Sequence, residues 1–193
     1  MKLLLAVYTA ALVLAPLCAP AAPAHGPAAS SSELPASDQA FLNARDAVRI
    51  GDRERLAQHA ARLGQHPLAA YIEYWQLLGR IRNAEPKAAA DVAQFMRRHA
   101  DTYIADRLRF DWALVLASQS DYQGFEREAA QLAWWTDDAQ FRCYLALSNY
   151  RRATAKQADA FASEARQLLA NTKDSAGEGC IALTEALLAD SRI

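Results

Sequence analysis

The chain is poor in the residues that interrupt helices. Among 193 residues there are 7 glycines and 7 prolines, too few for a collagen-like or low-complexity chain. Charge of one sign is also lacking, since 21 Lys and Arg stand against 22 Asp and Glu. No basic excess points to nucleic acid, so no nucleic-acid partner is expected. Beyond the first 20 residues no run is apolar enough to span a bilayer. No stretch alternates apolar and polar residues as a half-buried strand would. What the chain has instead is alanine, 44 residues of it. Alanine is the strongest helix former and is depleted in strands, so an all-α fold is expected.

The first 24 residues have the make-up of a signal peptide. Lys2 supplies a positive start, Leu3 to Leu17 an apolar core, and Ala22-Pro23-Ala24 a small-x-small cleavage site,. Cleavage after Ala24 is expected, with Ala21 as second choice. An uncleaved anchor helix is the alternative, opposed by Pro16 and the Ala/Pro-rich run behind it. Cys18 lacks the small preceding residues that lipidation needs. Export to the periplasm follows, with no stable membrane span after cleavage. Residues 25–37 are rich in Ala, Pro and Ser and form a tether. Residues 38–193 form the folded part.

From residue 38 onward the chain is punctuated like a series of helices. Ser37 or Asp38 opens the first, which Gly51 ends; Asp52, Pro67, Pro86, Asp101, Asp121 and Asp137 open the next six,. An eighth is expected over 156–170 and a ninth over 179–189. Apolar residues recur at spacings of three and four, as in Ile104, Leu108, Trp112 and Val115,. Short turns join the helices in pairs that begin near residues 38, 67, 102 and 138, at about the period of helix-turn-helix repeats. The expected fold is therefore a set of helix-pair repeats stacked as an α-superhelix, a TPR-like solenoid. A compact helical bundle is the alternative. The last helix carries Ile181, Leu183, Leu187 and Leu188 with no obvious polar cap after it, which predicts marginal stability or self-association.

Motifs of chemistry are scarce. The four histidines are His25, His59, His66 and His99, and each suits a structural role better than a catalytic one. No His-Glu-x-x-His, glycine-rich phosphate loop or Gly-x-Ser-x-Gly turn occurs, so neither a metal nor a cofactor is expected. Asp137-Asp138 follows Trp134-Trp135. The acidic pair fits a helix cap better than two carboxylates straddling a glycosidic bond. The two tryptophans suit core packing first, with room for one to be exposed and to stack on sugar or peptide. Glu73 lies between Tyr71 and Trp75 on the most aromatic helix, where a partly buried carboxylate needs a partner. Arg107 and Arg109 are its candidates, as a brace between repeats. Cys143 and Cys180 remain in the exported chain. An oxidising compartment favours a disulfide between them, closing a loop of about 37 residues at about 3.5–4 kcal/mol; two unpaired buried thiols are the alternative.

Several of these residues also resemble a family. Phe41-Leu42-Asn43-Ala44-Arg45-Asp46-Ala47 with Gly51-Asp52 looks like its opening helix. His66-Pro67-Leu68-Ala69-Ala70-Tyr71-Ile72-Glu73-Tyr74-Trp75 resembles its "HPL-x-x-Y-x-E-Y-W" segment. Phe95 with Arg97-Arg98-His99, then Ala105-Asp106-Arg107-Leu108-Arg109 and Trp112, resembles the following repeat. Cys143-Tyr144 with Ala146, and Cys180 downstream, resemble its paired cysteines. The family is the soluble lytic transglycosylases, exported bacterial enzymes of peptidoglycan turnover, and the resemblance spans about residues 41 to 185. It concerns their N-terminal superhelical region. In the family a separate C-terminal lysozyme-like domain cleaves the MurNAc–GlcNAc bond to 1,6-anhydro products, using a Glu-Ser motif and a Gly-Leu-Met-Gln segment. Neither occurs in this chain, so no catalytic residue carries over. The resemblance implies a Cys143–Cys180 disulfide and a scaffold role, with peptidoglycan glycan strands as partner through a full-length enzyme. Cell-wall proteins are further possible partners. A stand-alone periplasmic repeat adaptor that binds proteins or peptides is the alternative function. The length suggests the first segment of a longer superhelix.

Overall fold

A computed structural model describes residues 34–193 apart from 135, 136 and 174. Among the described residues every regular element is a helix, nine in all: α1 (Ala36–Arg49), α2 (Arg53–Ala60), α3 (Ala69–Arg82), α4 (Ala88–Arg98), α5 (Tyr103–Ser118), α6 (Tyr122–Ala129), α7 (Ala139–Arg152), α8 (Ala158–Asn171) and α9 (Glu178–Ala189). None is long and apolar enough to cross a membrane. The expected signal peptide and most of the tether lie outside the described residues, and α1 already begins inside the tether's last two positions.

The caps follow local chemistry. Asp52 accepts from the Arg55 N–H and Asp121 from the Gly124 N–H, as their sequence positions imply,. Two expected caps shift by one residue. Thr102, not Asp101, caps α5; Asp101 takes a left-handed φ of 61°, which leaves Thr102 extended and its hydroxyl facing the Ala105 N–H. Asp138, not Asp137, caps α7, accepting from Gln140 and Phe141. Pro35 precedes α1 without a side-chain cap, and Asp38 turns instead to His66.

One turn recurs. After α1, α3, α5 and α9 a residue enters the left-handed region: Gly51, Ala84, Ser120 and Ser191. In each case the next N–H reaches a carbonyl five residues back, as Asp52 to Ala47, Glu85 to Arg80, Asp121 to Leu116 and Arg192 to Leu187. This is the Schellman closure. It ends one helix and aims the chain back along it, so α1/α2 and α5/α6 form hairpins with the same geometry.

The odd helices begin at Ala36, Ala69, Tyr103 and Ala139, about 33 to 36 residues apart,. Within pairs, α1 packs on α2, α3 on α4, α5 on α6 and α7 on α8. Between pairs, α1 meets α3, α3 meets α5, α5 meets α7, and α9 closes on α7. Odd helices thus stack on one another in one layer, and α2, α4, α6 and α8 each pack on the odd helices beside them, an arrangement compatible with an α-superhelix. The core divides accordingly. Ala44, Ala47, Leu56, Leu63 and Ile72 form one cluster; Tyr74, Leu77, Ile81, Val92, Phe95 and Leu108 are central to a second; Phe125, Phe141, Leu147, Leu183 and Leu187 are central to a third. Trp75 packs against the first and the second, and Trp112 against the second and the third. On α9, Leu183 and Leu187 are fully buried while Ile181 and Leu188 remain exposed.

Candidate functional site

Where helices of one layer meet, their buried polar groups are matched. Tyr74 on α3 donates its hydroxyl to Asp111 Oδ2 on α5 at 2.7 Å. Arg107, one turn before Asp111, donates from Nε to the same oxygen at 3.0 Å and places its guanidinium 5.3 Å from the Phe110 ring centroid. Asp111 is only 5% exposed, so its charge depends on these donors. Burial, then the Asp111 charge, pushes the Tyr74 hydroxyl up to about 12.

This is a brace between pairs, but with a different acid. The ion pairs of Glu73 are with Arg98 and with His99 at 3.7 Å, both on or just after α4. Glu73 therefore links the two helices of its own pair and does not join Arg107 or Arg109. A helix turns about 100° per residue, so moving one position from Glu73 to Tyr74 changes the face from the α4 side to the α5 side. Arg109 also stays within its pair: Nε lies 3.4 Å from Glu128 Oε2, and Nη1 donates to the Gln131 carbonyl at 3.3 Å. Of the three residues expected to form the brace, only Arg107 takes part in one.

The α7/α9 contact is covalent. Cys143 and Cys180 form a disulfide, with Cα atoms 4.9 Å apart. Beside it, the Gly179 and Cys180 N–H groups both donate to the Gln140 side-chain oxygen. A Cβ on Gly179 would stand 2.6 Å from the Gln140 carbonyl oxygen, so the close approach of the two helices requires glycine there. Burial, then the nearby Glu178 charge, pushes the Tyr144 hydroxyl up to about 12.

His66 and His99 have structural contacts, and His25 lies outside the described residues. His66 accepts the Leu68 N–H on Nδ1, lies 3.1 Å from Asp38 through Nε2, and stacks on Phe41 at 5.2 Å. His99 packs against Phe95 at 4.4 Å. Among the described residues no three His, Cys, Asp or Glu side chains gather as metal ligands would.

Two of the open clefts border these residues. One, of ≈ 430 Å³, runs along the odd-helix layer and is lined by Arg82, Asp111, Ser118, Gln140, Tyr144 and Glu178 among others. The other, of ≈ 530 Å³, lies between the α4–α5 turn and the segment after α6, with Met96, Asp101, Arg109, Gln131 and Trp134 in its wall. Its floor is built by Asp106, 5% exposed, whose carboxylate accepts the Ala133 and Trp134 N–H groups at 2.9 and 3.1 Å. Trp134 is 48% exposed, as is Tyr103 beside it, their ring centroids 5.9 Å apart. Trp134 is thus a surface ring rather than a core one; Trp135 lies outside the described residues. The sequence pairs Trp134 with a neighbouring Trp, which hides this outcome, and the holding role of Asp106 has no local signal because its partners lie 27 and 28 residues away.

No protein-family model matches this chain, and neither does any curated protein or solved structure.

Proposed function

We propose that this chain is a scaffold module of the kind that soluble lytic transglycosylases carry, acting outside the cytoplasm to hold or contain peptidoglycan glycan strands and not to cleave them. One observation carries the reading. The odd helices are locked in register by ties between pairs, the Tyr74–Asp111–Arg107 network at one junction and the Cys143–Cys180 bond at another. Such ties suit a surface that must keep its shape along its length. The disulfide also suits an exported protein, and the His66-Pro67-Leu68 and Tyr71 to Trp75 segment supplies the family resemblance. Co-sedimentation with purified sacculi tests the reading. Saturable binding without release of 1,6-anhydro muropeptides is expected. Anhydro products would make the chain a catalyst, and binding no better than that of an unrelated protein would remove the glycan role.

A second reading, an adaptor for proteins or peptides, draws on the odd-layer cleft. Its wall mixes Arg82 with Glu178 and the amide of Gln119, as a peptide backbone with side chains of both signs would require. A sacculus-negative chain that captures a peptide on Arg82 and Glu178 would favour it.

A further inference from the structure

We infer that the cleft between the α4–α5 turn and the post-α6 segment is a neutral-sugar subsite, in which Trp134 is the stacking platform. The inference rests on the glycan reading above and names the surface that would make the contact.

Four features point there. First, Trp134 exposes half of its surface at the wall of a cleft of ≈ 530 Å³, a size within the range of small-molecule sites. A large aromatic ring left in water is otherwise unfavourable. Second, the backbone that carries the ring is held in place. The main-chain N–H groups of Ala133 and Trp134 donate to the buried Asp106 carboxylate, while Arg109 holds the Gln131 carbonyl from the same helix. A platform on a fixed backbone loses less freedom on binding. Third, Tyr103 stands beside it at 5.9 Å with the planes at 47°, so Trp134 has a second ring against it outside the cleft wall. Fourth, the polar groups around the rings are acceptors. Asp101 is exposed and makes no ion pair among the described residues, and Gln131 uses its amide N–H on Arg127, leaving its side-chain oxygen available.

Charge then selects the ligand. Among the described lining residues the one cation is Arg109, and Glu128 neutralises it. Asp106 and Asp101 leave the cleft mildly negative. A phosphate, nucleic acid or acidic peptide finds no counter-charge there. A pyranose fits all four features, since its axial C–H face is apolar and its equatorial hydroxyls are donors for Asp101 and Gln131. A cationic peptide is the competing occupant, and salt separates the two, because a neutral sugar has no ion pair to screen.

The probe is a neutral N-acetylglucosamine tetramer, titrated calorimetrically into the whole chain. Binding that is unchanged by salt, and weakened about tenfold or more by Trp134→Ala, is expected, the scale of removing a central aromatic contact. Asp101→Asn, which alters an exposed side chain only, should weaken it by about threefold. Unchanged melting curves for both variants separate lost binding from lost fold. Failure of the wild-type chain to bind the tetramer, equal binding by both variants, or preference for a lysine oligomer that salt abolishes would each overturn the subsite. If sacculi still co-sediment in any of those cases, the scaffold reading survives and only the location of its contact is wrong.

Discussion

Two junctions of the odd-helix layer solve one problem by different means. Where α3 meets α5, a phenol, a carboxylate and a guanidinium from two successive pairs interlock inside the core. Where α7 meets α9, a covalent bond sits between two helices drawn close by Gly179. The first fixes register through direction, since the Tyr74–Asp111 hydrogen bond between the helices fails if either helix rotates. The second fixes proximity and acts largely by restricting the unfolded chain. The polar junction should therefore be sensitive to conservative substitution and to pH, and the covalent one to reducing conditions.

The largest effect should come from the covalent side. Reduction, or Cys143→Ser with Cys180→Ser, is expected to remove up to about 3.5–4 kcal/mol, with the loss concentrated in α7–α9; hydrogen exchange resolved by helix will show whether α3 and α5 stay protected. On the polar side, Asp111→Ala strands a buried phenol and a partly buried guanidinium. A loss of about 2–3 kcal/mol is expected in denaturant melts, against about 1 kcal/mol for Tyr74→Phe, which removes one donor and no charge. If Asp111→Ala cost less than Tyr74→Phe, the network would not be the tie described here.

Alkaline pH acts on both junctions. The Tyr74 hydroxyl titrates near 12 in the folded chain against an ordinary value of 10. Its neutral form is the one the fold favours, so this contribution is intact below pH 10 and is lost as pH rises from 10 to 12. Tyr144, also pushed up to about 12, acts in the same direction at the α7/α9 side. Melting temperatures taken across that window should fall, and Tyr74→Phe should fall less steeply. Two small effects close the series. Ser120→Gly relieves a side chain held at φ 65° and should raise stability by about 0.5 kcal/mol in chemical denaturation. Glu73→Gln, at a solvent-exposed pair, should change the melt by less than about 0.5 kcal/mol; a larger loss would restore Glu73 as a brace.

The helices were legible from sequence because alanine, three-four spacing and acidic caps all agree there. Nine were expected and nine are present among the described residues. The caps at 101/102 and 137/138 were ambiguous because either neighbour can accept the N–H bonds, and backbone dihedrals decide between them. The brace was misplaced for a related reason. A carboxylate on an aromatic helix looks buried in sequence, yet Glu73 is on the face toward α4, and the buried donor is its neighbour Tyr74. A better signal was present: Tyr74 and Trp75 recur as Asp111 and Trp112 one repeat later, and Arg107 stands four residues before Asp111,. The Trp134 cleft was only half legible. Its aromatic residue was visible, but the floor that holds it joins residues on either side of α6.

Trp75 and Trp112 each belong to two of the three apolar clusters. In an array of nearest neighbours such shared residues are the coupling constants: losing one cluster strips a wall from the next. Disruption should then travel as a front along the array, from cluster to cluster, and the indole emission of these two rings would report its passage in turn.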